Sequence, residues 1–140
     1  MRSLEGYERA LAKYGLQAHY REIGLREVEE GFTATLDLLE EAPRLTAIIT
    51  TDHLTAAGSI KALTKRGYRV PEDRSVMAIA FGEFANGITP SLTALEWSSY
   101  DSSYRATLLM TEKLKRKDLP AQQILIAPEL VIRESTKPAP

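Results

Sequence analysis

The first apolar positions of the chain recur with the period of a helix. Leu4, Tyr7, Leu11 and Tyr14 follow one another at three- and four-residue steps, and Gly15 comes directly after the last of them. Positions three and four apart share one face of a helix, and glycine often ends one. The pattern therefore predicts an amphipathic helix that ends near Gly15.

Three further elements follow before residue 51. Residues 17–23 are a strand candidate. Three acidic residues within 27–30 then precede an apolar face. Acidic side chains in a first turn complement the helix dipole, so this segment predicts a helix that ends before Pro43. The run TAIIT at residues 46–50 is short, apolar and rich in β-branched residues, which predicts a strand.

Helices and strands continue to alternate beyond residue 50. The predicted elements are a helix over 54–66, a strand over 76–81, a strand over 91–95, a helix opened by a capping box at Ser98 and Asp101, and two short strands within 124–134 split by Pro128. Strands and helices in this order predict an α/β fold with a mostly parallel sheet. Such a sheet places its ligand beyond the carboxyl ends of its strands.

Polar residues follow three of the predicted strands. They are Thr51-Asp52-His53, Gly82-Glu83 and Glu96-Trp97. Asp52 can cap the helix that begins there with one carboxylate oxygen and contact a ligand with the other. Glu83 is either a solvated acid in a turn or a second carboxylate at the mouth of the cleft. Trp97 either packs in the core or stacks on a sugar or base ring.

The same residues allow a catalytic hypothesis, but an enzyme is not expected. A hydrolase using Asp52, His53 and Glu83 is a minor alternative, since two carboxylates can serve glycoside hydrolysis. A catalytic Asp-His dyad also needs a nucleophile, and no G-x-S-x-G elbow occurs. The sequence has no phosphate loop, dinucleotide fingerprint or metal motif, so neither a cofactor nor a metal is expected.

Composition and charge exclude several further classes. With 140 residues, the chain is long enough for one domain or one lobe of a larger architecture. The net charge of −1 gives no general attraction to nucleic acid or membranes. The absence of cysteine excludes disulfides and thiolate chemistry. No apolar run has membrane-spanning length and the first residues are not a signal peptide, so we expect a cytoplasmic protein.

The order and spacing of several segments together resemble one known family. These segments are RSLEGYERAL, EEGFTATLDLLEEAPRLTAIITTDHLTAAGSIKALTKRGYRVPED, VMAIAFGEF, PSLTAL and LVIREST. They resemble the effector-binding domain of the LacI/GalR transcription regulators. The resemblance implies a periplasmic-binding-protein-like type I fold, a three-layer αβα parallel sheet, of which this chain is the C-terminal lobe only. Residues 1–140 are then a partial domain, and 98–122 would cross to an N-terminal lobe.

The resemblance also implies effector-binding residues at the ends of the strands and helices. Asp52 and His53 stand where the family usually has Asn-Asp. Ser3 occupies the place of an effector-gripping arginine, and Arg2 lies one residue away. Arg26 takes a ligand-contacting position before the second helix, and it suggests an anionic or phosphorylated ligand through charge-assisted hydrogen bonds.

The strand over 76–81 can be aligned with the family in two registers. One register puts the two acidic positions of the family on residues 80–81. The other puts them on Gly82 and Glu83 and keeps the apolar run in the sheet, so we prefer it. Trp97 replaces the glutamine that follows the next strand, and Ser99 takes a nearby ligand position.

The function implied by the resemblance is ligand sensing for transcription. A small effector, such as a sugar or another metabolite, would close two lobes and shift a dimer between states. Operator DNA would bind through an N-terminal headpiece absent from this chain. The family forms homodimers through the counterparts of helix 54–66 and strand 91–95, and the small residues of AAGS in that helix allow close approach. The alternative is a solute-binding protein of a transporter, which has the same fold.

Overall fold

The structure, a computed structural model, contains five helices and four strands among the described residues. It describes residues 2–80 and 82–138, and for Arg2 it describes the backbone only. The elements are α1 (Arg2–Lys13), α2 (Val28–Glu41), β1 (Ala47–Thr50), α3 (His53–Lys65), β2 (Ser75–Ile79), α4 (Gly82–Gly87), β3 (Thr93–Glu96), α5 (Ser99–Lys115) and β4 (Glu129–Val131). None of the helices in these ranges is long and apolar enough to cross a membrane.

The four strands form one sheet in the order β1-β2-β3-β4. β1, β2 and β3 are parallel, and β4 pairs with β3 in the antiparallel direction. In the register, Thr50 lies beside Ala78 and Ile79 lies beside Leu95. The α/β fold with a mostly parallel sheet is therefore confirmed. The carboxyl ends of the three parallel strands meet at one edge, as such a sheet requires.

One face of the sheet carries the core. Ile48, Val76 and Ala78 are buried on this face, and α3 packs against it. The opposite face is more open, since the side chain of Ile49 on β1 is 58% exposed. Alternate residues of a strand point to opposite faces, so this difference in burial follows directly from the pleat.

Helices α2 and α3 pack backbone to backbone through two glycines. A Cβ on Gly31 would lie 2.4 Å from the carbonyl oxygen of Thr55, and one on Gly58 would lie 2.1 Å from that of Val28. Ordinary van der Waals contact would need more than 3 Å, so no other residue fits at either place without moving a helix. The small residues predicted to allow close helix approach are thus used, at Gly58, within the chain.

The ends of α3 follow the predicted signals. The backbone N–H of Thr55 donates to Oδ1 of Asp52 over 2.9 Å, so Asp52 caps the helix as predicted. At the other end Gly67 has φ of +82°, a left-handed conformation that glycine adopts without strain. The N–H of Tyr68 then returns to the carbonyl of Leu63, which ends the helix.

One strand prediction is wrong and another is wrong in part. Residues 17–23 are not a strand, because side chains rather than a neighbouring strand hold them. The hydroxyl of Tyr7 donates to the carbonyl of His19, and His19 lies 3.1 Å from a carboxylate oxygen of Glu41 on α2. In 124–134 only Glu129–Val131 forms a strand, since residues 124–126 have no partner strand and are exposed.

Ser135, in the segment after β4, links two strands of the sheet through hydrogen bonds. Its hydroxyl donates to the carbonyl of Val76 over 2.6 Å and accepts from the N–H of Thr93 over 2.8 Å. Its N–H donates to the carbonyl of Ser91. The side chain is fully buried, so these bonds join β2 and the start of β3 without competition from water.

Candidate functional site

A helix begins directly after each of the three parallel strands. α3 follows β1, α4 follows β2 and α5 follows β3. The polar residues after each strand therefore share the carboxyl edge of the sheet, as the sequence predicts. Gly82 and Glu83, for which a turn was one of the two alternatives, open the short helix α4.

A cleft of about 670 Å³ lies at this edge. Four of the predicted site residues line it, namely Gly82, Glu83, Trp97 and Ser99. The remaining lining residues are Phe84, Glu96, Ser98, Tyr100, Asp101, Ile126, Ala127 and Glu129. The cleft is thus formed by α4, the end of β3, the first turn of α5 and the segment that enters β4.

His53 reaches the cleft only through an aromatic neighbour. Its ring stacks on Phe84 with the two ring centroids 4.2 Å apart and the planes 17° from parallel. Phe84 in turn lines the cleft. The stack joins the start of α3 to α4, so His53 fixes the position of an aromatic wall.

Asp52 is engaged inside the chain. Its side chain is buried, and both carboxylate oxygens accept hydrogen bonds from Thr55, one from the backbone N–H and one from the hydroxyl. The expectation that one oxygen caps the helix while the other faces the cleft is therefore wrong. Asp52 orients Thr55 and not His53, so the geometry of a catalytic Asp-His dyad is not formed.

The other predicted site residues lie away from the cleft lining. Ser3 is exposed on α1 and Arg26 is exposed before α2. The side chain of Arg2 lies outside the described residues. Their assignment to ligand binding rests on the resemblance alone and stays a prediction.

The two alignment registers of the second strand place different residues at the cleft. Ala80 is buried, and its N–H donates to the carbonyl of Leu95, so it belongs to the sheet. Phe81 lies outside the described residues. Gly82 and Glu83 line the cleft, which is the arrangement that the preferred register expects.

An ion pair at the cleft joins Glu96, one of the polar residues predicted at the strand ends, to Arg133, which the sequence did not single out. Oε1 of Glu96 lies 2.5 Å from a guanidinium nitrogen of Arg133, and both side chains are largely buried. Arg133 also donates to Oδ1 of Asn86 on α4 over 2.8 Å and to the carbonyl of Leu92 over 3.0 Å. A Cβ on Gly82 would lie 2.6 Å from Glu96, so the absence of a side chain there leaves room for the carboxylate.

Shifted pKa values occur outside the cleft. Hydrogen bonds from the backbone and the hydroxyl of Ser91 lower the pKa of Glu134. Arg69 lowers the pKa of Asp73 to about 2, through hydrogen bonds from its side chain and its backbone N–H. Hydrogen bonds from His19 and Arg21 lower the pKa of Glu41. Within the described residues, no group of His, Asp or Glu is arranged to hold a metal ion.

Comparison with known proteins establishes the family. The chain matches the periplasmic binding protein-like domain over residues 2–136. It belongs to this family. The resemblance to the effector-binding domain of LacI/GalR regulators is confirmed by both sequence and structure, as the following relatives show.

The relatives are longer proteins. The HTH-type transcriptional repressor PurR of Mannheimia succiniciproducens is 34% identical over 135 residues, which cover 95% of this chain and 40% of the repressor. A LacI-family regulatory protein from Corynebacterium glutamicum is 30% identical with a TM-score of 0.85, covering 99% of this chain and 54% of that protein. A LacI family regulator from Arthrobacter sp. FB24, in complex with lactose, is 26% identical with a TM-score of 0.80, covering 93% and 49%. The chain spans about 40% of the length of these curated repressors.

Proposed function

We propose that this chain is the effector-binding and dimerisation part of a LacI/GalR-type transcription regulator. The observation that carries the proposal is a cleft at the carboxyl ends of the parallel strands β2 and β3, in a chain of this family. Its position is where α/β sheets bind small ligands. The relatives named as repressors, and the related regulator solved with lactose, support a small-molecule effector.

Within the cleft, we assign direct contact to the residues that line it. Glu83 and Ser99 offer polar groups, and Trp97 adds an aromatic side chain to the lining. Asp52 and His53 support the site without lining it, since Asp52 orients the start of α3 and His53 stacks on Phe84. Contacts from Arg2, Ser3 and Arg26 would complete the site from the other side of the effector.

The exposed apolar face of α5 supports a second lobe as its partner. Tyr100, Tyr104 and Leu108 stand at four-residue steps along one face, and each is about half exposed or more. An amphipathic helix normally buries such a stripe. Residues 98–122 would cross to that lobe, and effector binding between the lobes would shift the population of DNA-competent dimers.

The proposed dimer surface is narrower than the sequence alone indicated. Ala56, Gly58 and Ser59 are buried within the chain, as are Thr93 and Ala94 of β3. The outer side of α3 leaves Leu54 40% exposed, with Ala57 partly exposed beside it. These two positions, together with the chain leading into β3, are the part of the predicted interface that a second copy could contact.

The nearest alternative is a solute-binding protein of a transporter. The family itself is described as periplasmic binding protein-like, which keeps this reading open. The two candidates differ in what precedes the lobe in the native polypeptide. Peptide mapping of the native protein by mass spectrometry separates them. The regulator predicts helix-turn-helix peptides ahead of this sequence, and a signal sequence there would contradict it.

A further inference from the structure

We propose that Arg133 is a positioning residue of the cleft, which sets the orientation of α4 and, through α4, the places of Glu83 and Phe84. Both of these residues line the cleft, whereas Arg133 is not one of the lining residues. The inference deepens the proposed function and rests on it, because α4 is one wall of the proposed effector cleft.

Arg133 contacts three separate parts of the chain with one guanidinium group. Its Nε donates to Oδ1 of Asn86 on α4 over 2.8 Å, and its Nη1 donates to the carbonyl of Leu92 over 3.0 Å. The same Nη1 lies 2.5 Å from Oε1 of Glu96 at the end of β3. A guanidinium is planar and its donors are fixed relative to one another, so these contacts together define one position for the group.

The backbone of Arg133 is held by the sheet as well. Its N–H donates to Oγ1 of Thr93 over 2.9 Å, and Thr93 is buried on β3. The side chain of Arg133 is only 13% exposed, so water competes little for its hydrogen bonds. Arg133 is therefore a fixed point from which a neighbouring element can be held.

The short helix α4 needs such a fixed point. It has six residues, of which Ala85 is buried in the core, and the carbonyl of Ala85 accepts from the N–H of Leu92. Helices of this length are not stable by themselves, and one attachment leaves a short helix able to turn about it. The bond from Arg133 to Asn86 supplies a second attachment, one residue after the first.

The partner of Arg133 restrains the other end of α4. A Cβ on Gly82 would lie 2.6 Å from Oε2 of Glu96, so this carboxylate lies against the first residue of the helix. The side chain of Glu96 is 17% exposed and is paired with Arg133. A buried carboxylate that loses its cation is strongly disfavoured, so a change at Arg133 would displace Glu96 and release Gly82.

The stack of His53 on Phe84 reports the orientation of α4. The ring centroids are 4.2 Å apart and the planes are 17° from parallel. Phe84 belongs to α4 and His53 to α3, so a rotation of α4 would separate the two rings. Protons that lie over the face of an aromatic ring shift upfield in the NMR spectrum, which gives the stack a spectroscopic signature. His19, the other histidine of the chain, contacts Glu41 and serves as an internal reference.

The test follows the ring-proton signals of His53 in variants of the 140-residue chain. The spectra are recorded at about pH 8.5, where histidine side chains are ordinarily neutral. Phe84→Leu removes the stacked ring and therefore gives the unstacked position of the His53 signals. The unsubstituted chain gives the stacked position, and each further variant is placed between these two limits.

Arg133→Lys is the first of these variants. Lysine keeps the positive charge but lacks the planar group that holds Glu96 and Asn86 together. We expect the His53 signals to move most of the way to the unstacked position. Arg69→Lys makes the same change in the exposed ion pair with Asp73 and should leave the His53 signals unchanged.

A second pair of variants changes α4 itself. Asn86 is exposed, so its replacement should not disturb the core, and it tests the proposal even if Arg133→Lys does not fold. Asn86→Ala removes the acceptor for Arg133 and should move the His53 signals in the same direction. Asn86→Asp keeps an oxygen at that place and should restore the stacked position.

Three outcomes would overturn the proposal. They are His53 signals that stay in place in Asn86→Ala, an equal displacement in the control Arg69→Lys, and a loss of stability in Arg133→Lys with the stack unchanged. The last would show that Arg133 joins the strands without orienting α4. Each leaves the regulator hypothesis to its own test on the native polypeptide. Conversely, a signal sequence in the native protein would remove the regulator and leave a measured effect of Arg133 on α4 standing.

Discussion

Helices α3 and α5 begin with the same kind of signal and end in different surroundings. Asp52 caps α3 and Ser98 caps α5, each accepting a hydrogen bond from the backbone N–H three residues later. α3 buries seven of its residues, whereas α5 buries none. A cap specifies where a helix starts, but only packing decides how much it contributes to the folded state. The uncovered helix is the one that the proposed function assigns to a second lobe.

The largest expected effect on stability comes from adding a methyl group where α2 and α3 pack together, compared with adding one on the open helix α1. Gly58→Ala should destabilise the chain by about 3 kcal/mol, because its Cβ would lie 2.1 Å from the carbonyl oxygen of Val28. Gly6→Ala on α1 is the matched control, since nothing lies within 4 Å of the added Cβ. It should be neutral or stabilise by up to about 1 kcal/mol. Urea unfolding followed by circular dichroism measures both, and equal effects would contradict the close packing.

Removal of one buried hydroxyl should have the next largest effect. Ser135→Ala leaves the N–H of Thr93 and the carbonyl of Val76 without their shared partner, at a cost of about 2 kcal/mol. Ser103→Ala on α5 removes an exposed hydroxyl and should change stability by less than about 0.5 kcal/mol. The same urea titration applies, and a cost below that of the control would mean that Ser135 does not join the strands.

The two caps give the most direct comparison of α3 with α5. Asp52→Ala should lower the global free energy of unfolding by about 1–2 kcal/mol, because Thr55 and the core depend on it. Ser98→Ala should increase amide hydrogen exchange in the first turn of α5 and leave the global value nearly unchanged. Hydrogen exchange followed by mass spectrometry distinguishes global destabilisation from local opening of α5. Global destabilisation by Ser98→Ala would show that α5 packs on this lobe after all.

The smallest expected effect is a pH dependence at the surface. Arg69 lowers the pKa of Asp73 from 3.8 to about 2. A lowered folded-state pKa gives stability that is present above pH 3.8 and is lost as the pH falls towards 2. Because the pair is exposed, the contribution is small. The difference in Tm between the unsubstituted chain and Asp73→Asn should therefore shrink over this interval, and a difference that grows would have the wrong sign.

Local signals predicted most of the fold, and long-range pairing accounts for what they missed. The periodicity of α2 and α3, the apolar run of β2 and the cap at Asp52 are all local, and each was predicted. Residues 17–23 have strand-like composition, but a strand needs a partner, and composition cannot supply one. Six residues of α4 are too few for a helical period to be visible.

The residues of the site also divide into those that local patterns predicted and those that depend on contacts between distant parts of the chain. Positions after predicted strands gave Gly82, Glu83 and Trp97, which the structure brings to one cleft. The Glu96–Arg133 pair joins distant parts of the sequence across β3 and the chain after β4, and no local pattern reveals it. Ser3 and Arg26 came from the resemblance, and the lobe alone does not bring them to the cleft lining.

Selection of genomic DNA by the native polypeptide tests the central claim most directly. The native protein is purified from its own cells and incubated with sheared genomic DNA, and the retained fragments are sequenced. The account predicts strong enrichment of a few fragments that share a symmetric sequence, because a dimeric regulator reads two related half-sites. No enrichment over a protein-free control would contradict the assignment to a transcription regulator.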